Sequence, residues 1–252
     1  MKRILLIMSV MLPILLSAQS NTPKKNKMSV EIMRPINLHQ NDFERNLAHH
    51  NKEFHSGANA VDIYEVVTGD HMGEYNFVFR NPMSWAGIES TFNDAGKPGH
   101  AADWDMNIAS HLSAPASLYL YEISEDSYMP PSPQGMQTEL MGIYLIELVP
   151  GMEEDFFSGA KKISEMYKKS NSDNYYLLQT GVMGKGSQVV IVFPLAKGWE
   201  SFEPNPNDDW SKMFKAAFPK EDFKAWSKKF NSTQKSFESM VVRHRKDLSS
   251  DM

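Results

Sequence analysis

Eight histidines, no cysteine, and two matched pairs of tryptophan and glutamate are the residues of this chain that bear on chemistry. His50 is the sharpest of them. It falls on the stripe Phe43, Leu47, His50, Phe54, whose spacing of i, i+4, i+7 and i+11 traces one face of a helix. A histidine on a face turned toward a sheet can bind haem iron or another metal, or pass a proton. The same placement suits a hydrogen-bonded core histidine. His39, His49 and His55 crowd the same stretch, but their spacing argues against a shared site. His49 and His50 point about 100 degrees apart on a helix, and five residues separate His50 from His55. No H-E-x-x-H motif is found, so no metal site is expected. The expected cofactor is none, with haem at His50 as the alternative.

Trp85 and Trp199 each stand six residues beyond a strand phenylalanine, Phe79 and Phe193. They either anchor a helical segment to a sheet or line a cavity and stack on a flat ligand. Glu89 and Glu203 follow four residues later, as paired carboxylates or as surface caps. Thr68-Gly69…Gly73 and Thr180-Gly181…Gly184-Lys185-Gly186 lack both phosphate-loop patterns and read as hairpin turns. Without cysteine there is no thiol nucleophile, and no G-x-S-x-G elbow occurs.

These residues recur because the chain repeats itself at an offset of about 113 residues. Asp42-Phe43, Phe54, Thr68-Gly69, Met72-Gly73, Phe79, Trp85 and Glu89 have counterparts in order. They are Asp155-Phe156, Tyr167, Thr180-Gly181, Met183-Gly184, Phe193, Trp199 and Glu203. Each half reads strand, helix, strand, strand, helical region, strand. The first half runs from Val30–Ile36 through a helix starting near Asn41 to a last strand at Ser117–Ile123. The second opens at Gly142–Val149 and carries the helical stripe Phe156, Ala160, Ile163, Tyr167, with Ile163 in the place of His50. Its aromatic region, Trp210 to Phe230, is broken at Pro219, and it closes on a strand from Phe237 to Arg245. The basic run Arg243-His244-Arg245-Lys246 reads as a solvated edge.

The order βαββαβ, given twice, resembles the dimeric α+β barrel superfamily, in which two ferredoxin-like units face each other around a cavity. The resemblance implies an α+β fold of two tandem repeats, 29–123 and 140–248, joined by a Pro-rich linker at 124–139. It also implies a pseudo-dimeric barrel within one chain, as a monomer or a homodimer. Members of that superfamily include small monooxygenases and haem-handling proteins. The reading that follows is binding of a small apolar or aromatic molecule in the barrel, by some of His50, Trp85, Trp199, Glu89 and Glu203. The alternatives are a monooxygenase-like or haem-linked enzyme using His50, and a protein-interaction module of the cell envelope.

Residues 1–20 carry Lys2 and Arg3, an apolar run from Ile4 to Leu16 and a small-residue end, the pattern of a secretory signal peptide. Its Ala-Gln ending resembles exported proteins of Bacteroidota. The expected location is therefore periplasmic or extracellular, with Asn21 to Lys27 as a solvated leader. No later apolar run reaches the ~18 residues of a membrane span. A net charge of -5 and mixed surface charge argue against nucleic-acid binding. Expressed in a Gram-negative host, the protein should appear in the periplasmic fraction with its N-terminus near residue 20. Intact-mass analysis showing an uncut chain would remove the export reading.

Overall fold

Eight strands with period-two alternation have two usable faces each, and the chain closes them into one antiparallel barrel in the order β1-β3-β2-β8-β5-β7-β6-β4. This computed structural model describes residues 24–93, 97–130, 138–184, 186–204 and 209–251. The expected signal peptide, the middle of the linker (131–137) and part of the Pro-rich piece after Trp199 (205–208) lie outside them. The strands are β1 (Lys27–Met33), β2 (Val61–Val66), β3 (Tyr75–Phe79), β4 (Ser117–Ile123), β5 (Leu140–Leu148), β6 (Leu177–Met183), β7 (Gln188–Pro194) and β8 (Gln234–His244). The main helices are α1 (Gln40–Phe54), α2 (Trp85–Asn93), α3 (His100–Asp103), α4 (Glu153–Ser170), α5 (Trp210–Ala217) and α6 (Phe223–Asn231). A π-helical turn, Trp104–Ile108, continues α3. No helix among the described residues is long and apolar enough to cross a membrane.

Each half supplies four neighbouring strands, β4-β1-β3-β2 and β8-β5-β7-β6, and two seams join them. At one seam Tyr64, Glu65 and Val66 pair with His244, Arg243 and Val242. At the other, β4 pairs with β6 across a bulge between Leu120 and Tyr121. The tandem α+β barrel expected from the repeat is thus the architecture, and it is complete within one chain.

Alternation assigns the two faces. Val66, Tyr121, Ile143, Val190, Met240 and Val242 turn inward and pack as one apolar cluster. Val61, Ile63, Tyr75 and Phe77 turn outward and meet Phe43 and Leu47 of α1. On the second half Ile146, Leu148, Leu178 and Val189 meet Phe156, Ile163 and Tyr167 of α4. Both expected stripes therefore lie on the sheet. Helices α5 and α6 pack beside α4 so closely that a Cβ on Gly159 would come within 2.2 Å of the Phe230 ring.

Several local expectations change for identifiable reasons. Strand β1 begins at Lys27 and ends at Met33, because Asn26 and Lys27 are buried against Glu122 and Pro35 has no N–H to extend a ladder. Of the expected solvated leader, Lys24 and Lys25 are exposed, whereas Asn26 and Lys27 are not. Thr180-Gly181 belongs to β6, not to a turn, since Gly181 pairs with Tyr121 across the seam; the turn comes at Gly184, with φ 95°. In the linker, Tyr128 is buried, stacked on Tyr167 with ring centroids 5.5 Å apart.

The basic run is no solvated edge, because a closed barrel has none. His244 is buried, and Arg245 donates to Glu44 of α1 at 2.8 and 3.0 Å and to Glu65 at 3.3 Å. Beyond it, Val61 and Ile63 N–H groups donate to the hydroxyls of Ser250 and Ser249, both at 2.9 Å. The tail thereby finishes the hydrogen bonding of β2. Hydrogen bonds from Arg245, joined by those from Tyr75 and Gln40, hold the Glu44 carboxyl down to about 2 against the upward push of burial. A carboxyl depressed in the folded state stabilises fully above its unfolded value of 4.5, and that contribution is lost as pH falls toward 2. Glu44→Gln should cost about 2 kcal/mol at neutral pH and flatten the loss of stability between pH 4.5 and 2. Denaturant melts across that range check both effects.

Candidate metal centre

His50, His55 and His100 each bring one ring nitrogen to a common point, all within 4.8 Å of one another. Three local decisions in the chain make this possible. Helix α1 buries His50 fully, on the stripe below Leu47. The helix stops at Phe54, and His55 takes an extended conformation (φ -111°, ψ 106°). Two histidines five positions apart, which would diverge on a continuing helix, are thus brought together. Gly57, with φ 60°, then turns the chain so that the Asn59 carbonyl comes under the His55 ring. His100 opens α3 directly after Gly99, whose φ is 91°.

The hydrogen bonds decide which nitrogens are free. His50 Nδ1 lies 2.7 Å from Asp103 Oδ2, three residues past His100 on the same short helix. Burial pushes the Asp103 carboxyl up, but hydrogen bonds from His50 and Asn107 outweigh it and the net direction is down. Asp103 is therefore an ionised acceptor, so His50 donates Nδ1–H and leaves a lone pair on Nε2. That Nε2 is buried and has no hydrogen-bond partner. Burial lowers the His50 pKa further than the Asp103 hydrogen bond raises it, so the ring is neutral.

His55 follows the same logic. Its Nδ1 donates to the Asn59 carbonyl at 3.3 Å, which leaves Nε2 with a lone pair. Burial and the neighbouring histidines lower its pKa to about 3. His100 Nε2 lies 3.3 Å from His55 Nε2, so His100 must carry the proton of that contact. Two lone pairs are thus directed by the fold, and the third needs only loss of one proton. A carboxylate behind one histidine is the outer-sphere arrangement that fixes ligand tautomer in metal sites.

The walls are aromatic. Phe54 and Trp104 lie 5.0 and 5.4 Å from the His50 ring, and Phe77 lies 5.1 Å from His55. Asn46 donates to the Asn107 carbonyl at 3.0 Å, pinning the π-helical turn to α1. Among the described residues the second half has no equivalent, and Ile163 fills the place of His50 in an apolar cluster.

The other residues singled out by the repeat lie elsewhere. Trp85 is 46% exposed with Lys27 over its ring, and Trp199 is 52% exposed beside Phe202. Glu89 and Glu203 are exposed. None of the four contacts the histidine rings. His100 and Asp103 escaped the sequence reading, although H-x-x-D is a same-face helical spacing, because the loop-like residues before Gly99 hide a four-residue helix. A polar surface cleft of ≈ 140 Å³ lies apart, lined by Arg34, Asn37, Gln40, Asp70 and Glu74.

No protein-family model and no curated protein sequence matches this chain. Solved structures do. A monooxygenase candidate from Lactobacillus acidophilus is 11% identical, covering 90% of this chain and 96% of its own, with a TM-score of 0.52. An anthrone oxidase-like protein is 11% identical over 88% and 92%, at 0.54. A chlorite dismutase variant from Candidatus Nitrospira defluvii is 8% identical over 89% and 93%, also at 0.54. These likenesses are of fold: the chain is built as a dimeric α+β barrel folded from one polypeptide.

The adjacent residues His49 and His50 differ completely in exposure. Diethyl pyrocarbonate should modify His49 and spare His50, as site-resolved peptide mass spectrometry would read. Equal modification of both would place His50 at the surface and dissolve the site.

Proposed function

We propose that this protein binds a divalent transition-metal ion through His50, His55 and His100, with Asp103 orienting His50 from the outer sphere. The buried, unpartnered Nε2 of His50 carries this reading. An uncompensated buried polar atom costs about 1–3 kcal/mol, and its persistence here has a use if a ligand completes it. Metal–nitrogen bonds of about 2.0–2.1 Å set the edge of a tetrahedron at roughly 3.3–3.4 Å. The His55–His100 contact, 3.3 Å, already has that length. The widest separation, within 4.8 Å, needs a closing movement of roughly 1.5 Å. Three imidazoles without thiolate favour zinc, copper or iron over magnesium or calcium. Haem fits His50 less well, because the rings of His55 and His100 stand only 5.3 and 4.9 Å from its own and leave a macrocycle little room.

A small apolar molecule in the barrel is the second reading. Met28, Val30, Tyr119, Leu145 and Val192 belong to the inward-facing cluster yet stay only partly buried, so that interior keeps some accessible apolar surface. The names of the similar structures make small-molecule oxidation the activity class to assay first, with metal-loaded protein. We propose export as well, on the signal-like residues 1–20.

Zinc titrated into metal-free protein should bind at one equivalent by calorimetry. His100→Ala should abolish that binding, and Asp103→Asn should weaken it about 10- to 100-fold. His49→Gln should leave it unchanged. The proposal fails if His100→Ala binds zinc as the parent does.

A further inference from the structure

Resting on that metal reading, we infer that the ion keeps its fourth coordination position open on the His100 side and takes a small anion there. The donor inventory is the first support. The chain has no cysteine, and among the described residues the cluster of potential ligand atoms ends at three histidines. Among the described residues the carboxylate beside the cluster, Asp103, is turned away and occupied. One oxygen accepts from His50 Nδ1 at 2.7 Å and the other from Asn107 Nδ2 at 2.7 Å. Phe54, Phe77 and Trp104, which form the walls, carry no lone pair to give. A structural metal site closes its shell with protein donors, whereas three protein ligands leave a place for an exchangeable one.

Burial tells where that place is. His50 and His55 are buried, while His100 is only partly so. His100 is therefore the most accessible of the three rings. The ligand entering there meets the metal on its accessible side, with aromatic rings behind.

Charge tells what it would be. Three neutral imidazoles leave both positive charges on a divalent ion, and ionised Asp103 offsets one. Lys97, anchored to the Glu53 carbonyl at 2.6 Å, adds positive potential close to His55. Apolar walls screen this excess poorly. A small monoanion with an oxygen or nitrogen donor is accordingly preferred over a neutral ligand of the same size. Water or hydroxide would hold the place otherwise.

Cobalt(II) reports the point directly, since its visible bands change with coordination and zinc's do not exist. The protein loaded with one equivalent of cobalt(II) should show a saturable spectral change with azide. Imidazole, a neutral nitrogen donor, should bind about tenfold more weakly. Normal cobalt loading with a spectrum that azide leaves untouched would mean that a protein donor closes the shell; the inference then falls and the metal reading stands. Tighter binding of imidazole than of azide would overturn the anionic preference. Failure to load cobalt or zinc at all would take down both.

Discussion

Strand edges must be satisfied, and in this protein that requirement shapes everything else. One ferredoxin-like half ends in β2 on one side and β4 on the other, each with a row of unpaired N–H and C=O groups. The second half ends in β8 and β6. Pairing β2 with β8 and β4 with β6 removes all four edges at once. The tail beyond β8 completes the hydrogen bonding of β2 through Ser249 and Ser250, and Arg245 ties it to α1. Closure therefore explains why His244, Ser249 and Ser250 are buried, while Arg243 and Lys246 of the same segment stay exposed.

Closure also decides which side chains can meet outside the barrel. With the inward face occupied by side chains such as Tyr121, Ile143 and Met240, the helices must cover the outside. The histidine cluster forms in that outer layer, between α1, the outward rings of β3 and the short helix α3. Its two halves have diverged there. The second repeat fills the layer with α4, α5 and α6 around Phe214, Trp226 and Phe230, a mainly apolar solution that also buries Ser164 and the Trp226 indole nitrogen. The first repeat instead uses α3 and a π-helical turn, which admit polar atoms and leave one lone pair unpaired. The two halves thus share the barrel, while the outer layer of the first carries the histidine cluster.

Much of the fold was legible along the chain. The stripes Phe43–Leu47–His50 and Phe156–Ala160–Ile163–Tyr167 lie on the sheet as their period required, because side chains i, i+4 and i+7 share a helix face. Ser117–Ile123 is a strand as read, and Pro219 separates α5 from α6. The site was only partly legible. His50 was marked by a polar ring on an apolar face. His55 was set aside by assuming that the helix continued, whereas the chain leaves it one residue earlier. His100 lies fifty residues away behind a loop, and no local pattern links it to His50. The tryptophans and glutamates drew notice by repeating, yet repetition of a surface residue follows from duplication alone.

The sequence by itself determined the periodicities, and with them the elements, their order and the twofold repeat, since these depend on neighbours within a turn or a strand. Only the tertiary structure decided which nitrogens meet. Ring nitrogens, one each from His50, His55 and His100, come together through a helix end, a glycine turn and the packing of α3 against α1. Those are contacts between segments far apart in the chain, and their geometry is set by the sheet beneath them. Tautomer and charge follow in turn from Asp103 and from burial, which exist only once the layers have closed.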